Sequence, residues 1–207
     1  MTVLEIKKDK KHLSRLLLSD GRELYLDDDI CSSVSVSCGA EITESELEKL
    51  CFESDYKRAK SRALWYLDRM DYTEKALYDK LIKAGFDKKA SAAVIARLKE
   101  LGVIDDERYA GRLAERYREN NISEREAIQK LRLKGVAYDL AKACVRNTEF
   151  DERVQIESLI ETKYARRLRE ERGSEKVFAA LARKGFSFSE IKKALKKYCE
   201  ELEFGEE

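Results

Sequence analysis

Apolar and polar positions recur along this chain at intervals of fifty residues. The stretches Thr73–Phe86, Ser123–Val136 and Gly173–Phe186 match position for position. Leu81, Leu131 and Leu181 share one position, and Tyr78, Ile128 and Phe178 lie one turn earlier on the same helical face. Thr73, Ser123 and Gly173 stand at the start of each stretch, and residues of these types cap helix N-termini. In the second copy Ser123 is followed three residues later by Glu126, the pattern of a capping box. Gly85, Gly135 and Gly185 close the stretches and are followed by Phe86, Val136 and Phe186. A glycine just past a helix, with an apolar residue next, is the signature of a left-handed C-cap. Each copy therefore predicts a helix of about three turns with both ends written in the sequence. A second helix follows each glycine, its apolar register marked by Ile95, Val145 and Leu195. A longer helix precedes each cap, over about Asp55–Met70, Asp106–Arg118 and Glu152–Arg169. The unit is three helices, and most of these positions are core and caps. A fixed period of this length marks a tandem repeat. Stacked repeats make long surfaces that serve binding more than chemistry.

The first fifty residues follow a different pattern. Val3, Leu4 and Ile6, then Leu13–Leu18, then Leu24–Leu26 read as strands, with Asp20-Gly21 as a hairpin turn. Val34 and Val36 alternate with Ser33, Ser35 and Ser37 as a short further strand. Thr43 with Glu46 is another capping box and opens a short helix through Leu47 and Leu50. The expected architecture is mostly α: three tandem three-helix repeats forming an elongated, curved body, with a small β-rich segment at the N-terminus. The expected boundaries are 1–52 for that segment, which caps the first repeat, then 53–103, 104–152 and 153–207 for the repeats.

Composition sharpens the picture. Charged residues make up 40 % of the chain and proline is absent, which suits helices laced with i,i+4 charge pairs. The net charge is only +1, but it is unevenly placed. Residues 1–52 hold 7 basic and 11 acidic side chains, residues 53–147 hold 22 and 16, and residues 153–199 hold 13 and 6. The last eight residues carry five Glu and no base, a possible arm for masking the basic repeats. A basic body of this kind suits a polyanion or an acidic protein groove.

Chemistry is scarce. Cys31, Cys38, Cys51, Cys144 and Cys199 form an odd set without a C-x-x-C pair, which points to a reducing cytoplasm and no disulfides. No run is apolar enough for a signal peptide or a membrane span. His12, the single histidine, falls in an expected strand, where a structural role is the ordinary one. No Cys/His spacing suits zinc, and no phosphate-cradling glycine loop is present. Asp105-Asp106, Asp71, Glu74 and Asp87 fit helix starts better than metal ligation. No catalytic residue, metal site or cofactor is expected, and the chain does not read as an enzyme.

The order and spacing of the motifs resemble one family. Ala63-Leu64-x-Tyr66-Leu67-x-Arg69-x-x-x-Thr73-Glu74-x-x-Leu77-x-x-Lys80-Leu81, Gly85-Phe86 and Leu101-Gly102-x-Ile104-Asp105-Asp106-x-Arg108-Tyr109-Ala110 are similar to the first repeat and first junction of the RecX regulatory proteins. Leu131-Arg132-x-Lys134-Gly135-Val136 resembles that family's second repeat. Lys163-Tyr164 and Leu181-x-Arg183-Lys184-Gly185-Phe186-Ser187, with Ile191, resemble its third. The likeness covers roughly residues 55–198 and leaves out the acidic N-terminal segment. One departure is Asn121-Ile122-Ser123, where a glycine is expected near the cap. The resemblance implies a regulator that binds the RecA–DNA filament in its helical groove and restrains the recombinase in DNA repair and recombination.

The residues add a physical route to such binding. Arg69, Lys80 and Lys83 cluster around the first capped helix, Lys130, Arg132 and Lys134 around the second, and Arg183 and Lys184 around the third. Arg166, Arg167 and Arg169 add a dense basic run. Tyr66, Tyr117 and Tyr164 lie close by and can stack on a base or pack on a partner. Contacts of this kind are distributed, so the expectation attaches to the set rather than to one base. The partners expected are a RecA filament and single- or double-stranded DNA, with no membrane, for a monomer. Two other readings stand beside it: a stand-alone DNA-binding helical protein, and a helical-repeat scaffold for some other protein.

Overall fold

Alternation builds the N-terminal sheet. The computed structural model describes residues 1–9, 12–33 and 36–204. Strands β1 (Val3–Asp9), β2 (Leu13–Leu18) and β3 (Glu23–Asp27) form an antiparallel sheet in the order β1-β2-β3. Along β2, Ser14, Leu16 and Leu18 are buried while Leu13, Arg15 and Leu17 are half-buried, the period of two expected when one face is covered. Val3, Leu16, Leu18 and Leu26 pack with Leu47 and Leu50 of the following helix. Gly21, at φ +86°, makes the β2–β3 turn and donates its N–H to the Leu18 carbonyl at 3.0 Å. His12 lies in the β1–β2 turn at φ +60° and is exposed, not in a strand as expected. The strand expected around Val34–Val36 falls largely outside the described residues. Ser33 ends a short helix α1 (Asp28–Ser33), Val36 is irregular, and Val34 and Ser35 lie outside the described residues.

The expected break between a short helix and a first long helix is absent. Helix α2 runs unbroken from Glu44 to Leu67. Its start is the expected capping box: the Thr43 hydroxyl accepts from the Glu46 N–H, and the Glu46 carboxylate accepts from the Thr43 N–H. No glycine or proline interrupts residues 51–55, so nothing stops the helix there. α2 is thereby shared. Its first half covers the sheet, and its second half supplies Ala59 and Ala63 to the core of the first repeat. The sheet is tied to it by polar contacts. The Ser54 hydroxyl accepts from the Asp27 N–H at 2.8 Å, and the Lys57 ammonium reaches Asp27 at 2.6 Å and also Asp29.

The chain divides into two compact units, residues 1–105 and 106–207. In the first, α2 packs with α3 (Glu74–Lys83) and α4 (Lys88–Glu100) around Leu77, Leu81, Val94 and Leu98. In the second, α5 (Asp106–Glu119), α6 (Glu124–Leu133) and α7 (Tyr138–Asn147) enclose Ala114, Ala127, Leu131 and Val145. Then α8 (Glu152–Leu159), a π turn (Ile160–Tyr164), α9 (Ala165–Leu168), α10 (Gly173–Arg183) and α11 (Phe188–Phe204) enclose Ile156, Ile160, Leu181 and Ile191.

The short helices α3, α6 and α10 end alike. Gly85, Gly135 and Gly185 take φ of +89°, +95° and +90°. The amides of Phe86, Val136 and Phe186 return to the carbonyls of Leu81, Leu131 and Leu181, and the glycine amides to those of Ile82, Arg132 and Ala182. This double closure is the Schellman arrangement that the sequence predicts. At the end of α5 the residue in this position is Asn121, at φ +52°, with the Ile122 amide bonded to the Tyr117 carbonyl. The missing glycine is thus replaced by asparagine, whose side chain tolerates the left-handed region.

Two features of the third copy depart from expectation. Gly173 does not cap α10. Arg172 holds that place at φ +55°, and Gly173 is the first helical residue. A Cβ at Gly173 would lie 2.3 Å from the Arg167 carbonyl oxygen and 2.8 Å from that of Leu168, so only glycine fits. The long helix expected over Glu152–Arg169 runs continuously to Leu168 but contains a π turn. Counted from Ile156, an unbroken α-helix would aim Lys163 and Arg167 at the core. The widened turn slips the register by a residue, so that buried Tyr164 and partly buried Leu168 face inward and Arg167 stays exposed.

Within the second unit the copies are stitched by polar groups. The buried Ser123 hydroxyl accepts from the Glu126 N–H at 3.3 Å and donates to the Lys184 carbonyl at 2.5 Å. The amide of buried Gln155 donates to the carbonyls of Arg118 and Ile122 at 3.3 and 3.1 Å. Half of the expected Ser123–Glu126 box is therefore present, while the Glu126 carboxylate pairs with Lys130.

These contacts set two stability expectations. Ser123→Ala removes a cap and leaves the Lys184 carbonyl without its donor, and urea unfolding should show a loss of about 2 kcal/mol. Gly173→Ala forces a carbon into the α9 backbone and should cost about 3 kcal/mol. A wild-type urea midpoint for Gly173→Ala would contradict that close approach.

A third expectation concerns acid. Hydrogen bonds from the amides of Ala90, Lys89 and Lys88 hold the Asp87 carboxyl below the usual carboxylate range. A depressed folded value means that this stabilisation is complete above the unfolded value of 3.8 and is lost as pH falls through the folded one. Asp87→Asn keeps the cap without the titration. Its stability deficit relative to wild type at neutral pH should therefore shrink in urea titrations below about pH 4.

Candidate functional site

Bases collect at the C-terminal turn of the repeated short helix, where they complement the helix dipole and the unpaired carbonyls. In the first copy Lys83 is exposed at the end of α3, and the Lys80 ammonium lies 4.9 and 5.1 Å from the ring centroids of Tyr66 and Tyr72. In the second, Arg132 is exposed over the Tyr138 ring at 5.5 Å, Lys134 is the exposed C-cap of α6, and Lys130 is ion-paired with Glu126 at 3.3 Å. In the third, exposed Arg183 donates Nε–H to the Ala179 carbonyl at 3.2 Å, and half-buried Lys184 is the C-cap of α10. Arg183 and Lys184 share a cleft with Arg125, Glu126 and Gln129 of the second copy, while that copy's own candidates Lys130, Arg132 and Lys134 do not line it.

The run Arg166, Arg167 and Arg169 lies at α9 and its C-cap, and all three residues are exposed. Among the described residues, none of Arg69, Lys80, Lys83, Arg132, Arg166, Arg167, Arg169, Arg183 or Lys184 is paired with a carboxylate. Neighbouring bases such as Arg58, Arg97, Arg153 and Lys193 do have carboxylate partners. Unpaired exposed cations keep their charge available for an anionic partner.

The tyrosine expectation divides. Tyr117 and Tyr164 are buried in the cores of the second and third copies and are not available for stacking. Tyr66 is half-buried, with its ring edge-on to Trp65 at 5.3 Å and to Tyr72 at 6.2 Å. The residue that the sequence reading passed over is Trp65, 45 % exposed on α2. Arg62 and Arg69 lie three residues before it and four after, the spacing that puts side chains on one helix face. That spacing was the available signal. Among the described residues no group of three or more His, Cys, Asp and Glu side chains is placed to hold a metal ion. No helix among them is long and apolar enough to cross a membrane.

The chain resembles known proteins in sequence and in fold. The family model described as RecX, first three-helix domain, matches residues 59–98. The chain is 27 % identical over 206 residues to "Regulatory protein RecX" of Clostridium tetani, covering 95 % of this chain and 93 % of that one. It is 28 % identical over 200 residues to the protein of the same name from Streptococcus sanguinis, covering 94 % and 76 %. A crystal structure of regulatory protein RecX shares the fold with a TM-score of 0.66 at 21 % identity, over 95 % of this chain and 98 % of that chain. The crystal structure of RecX from Lactobacillus salivarius does so with a TM-score of 0.62 at 21 % identity, over 69 % and 96 %. The motifs, the relatives matched along most of this chain and the shared fold together make this chain similar to the RecX regulatory proteins.

Proposed function

We propose that this chain binds the RecA–DNA filament and inhibits the recombinase, lowering its ATPase activity and strand exchange. The observation that carries the reading is the recurrence of carboxylate-free bases at the same helix end in successive copies: Lys80 and Lys83, Arg132, then Arg183 and Lys184. A partner that repeats along an axis can meet a ligand that repeats, and individually weak contacts then act together through high effective concentration. Such binding restrains the recombinase only if it prefers one filament state over another. The names of the relatives support a regulatory role rather than a catalytic one.

The exposed arginine run extends this basic set. Charge reversal of Arg166, Arg167 and Arg169 together should raise the dose needed to inhibit RecA ATPase on single-stranded DNA by about tenfold. Circular dichroism of the variant should match the wild type, because all three side chains are exposed. A fully helical triple variant that inhibits strand exchange at the wild-type dose would remove these arginines from the contact surface. Tighter binding to bare duplex than to the filament would overturn the proposal itself.

A further inference from the structure

Near the C-terminal end of α2 three aromatic rings and three cations interleave. The Arg69 guanidinium lies 3.5 Å from the centroid of the Trp65 ring, and that of Arg62 lies 5.3 Å from it. Trp65 meets Tyr66 edge-on, Tyr66 meets Tyr72 edge-on, and Lys80 sits over both tyrosines. Leu64 and Met70 beside them are 44 % and 57 % exposed.

A surface helix ordinarily sends a large apolar ring to the core and its cations to acidic neighbours. Here neither happens. Arg62, Arg69 and Lys80 have no carboxylate partner among the described residues, although Asp68 lies in the adjoining turn. Arg69 is instead held against the ring by an Nη1–H bond to the Trp65 carbonyl at 2.9 Å. That bond uses one of five guanidinium donors and leaves the others free for phosphate oxygens. The stacked guanidinium and indole present flat π faces of the size of a nucleobase. Packing against the rings also spares part of the ordering cost when the cations bind, because the side chains are already placed.

We propose that Trp65, Arg62 and Arg69 form a stacking platform for unpaired nucleobases, with the arginines also contacting the adjoining phosphates. The ligand class is single-stranded nucleic acid. A duplex hides its base faces, so it can offer the platform only its phosphates. The site lies on the first unit alone and does not depend on the filament reading, since it can be tested on bare DNA.

Trp65 is the single tryptophan of the chain, so its emission reports on this site and no other. The full-length protein is titrated with a single-stranded oligothymidylate and with a duplex of equal length, while anisotropy of the labelled DNA follows binding. Single strands should quench the emission to saturation along the binding curve, and duplex should not. Trp65→Leu should weaken single-strand binding about tenfold. Arg62→Met with Arg69→Met, which keeps the apolar stems, should weaken it similarly and abolish the quenching. Three results would overturn the proposal: unchanged emission while anisotropy reports bound strand, equal quenching by duplex, or full single-strand affinity in Trp65→Leu. An emission change on adding RecA without DNA, with none on adding DNA, would likewise overturn it and assign the patch to a protein contact. Any of these results leaves the ATPase test of filament binding to be decided separately.

Discussion

The left-handed glycine after each short helix stands where the chain must leave one helix and enter the next at a defined angle, and the packing of every copy follows from it. With φ near +90° at Gly85, Gly135 and Gly185, the next amide returns to the carbonyl of the buried leucine. The apolar residue after the glycine is thereby folded back towards that leucine. Phe86, Val136 and Phe186 become core or near-core residues instead of loop residues. The same turn exposes the last turn of the short helix to solvent, which is why the bases of that turn are available. One backbone constraint thus places both the core and the candidate contact residues.

A second layer of order joins the two copies of the second unit. Ser123 caps α6 and also holds the end of α10 through the Lys184 carbonyl, while Gln155 donates to the carbonyls of Arg118, in α5, and of Ile122, just beyond it. The Ser123 and Gln155 side chains are themselves buried, so breaking these bonds leaves their polar atoms poorly satisfied. They fix the second and third basic helix ends relative to each other. For a binder that relies on several weak contacts, fixed spacing preserves the effective concentration that a floppy tether would dilute.

The candidate site was legible to different depths. The bases of α3, α6 and α10 were found because capping residues on both sides mark where each helix ends. The tyrosines were not separable by sequence: Tyr66, Tyr117 and Tyr164 all lie in long helices near the inner stripe, and small differences in rotation bury two and half-expose one. Arg167 owes its exposure to a π turn, which no residue type announces. Trp65 was passed over because an aromatic in a helix of the first repeat reads as core, and only packing shows that Ala59 and Ala63 fill that place.

The repeat, its helix ends, the alternating strands and the basic character of the repeats were determined by the sequence alone. They are local: caps, glycines and apolar spacing act within a few residues, and the chain states them three times. Tertiary structure decided the rest. It merged the expected short and long helices into α2, because each half had a core to cover. It made Gly173 a point of close backbone approach, because α9 passes against it, and it left Trp65 outside with two arginines. Each of these depends on what another segment occupies, and a linear pattern carries no record of which space is already filled.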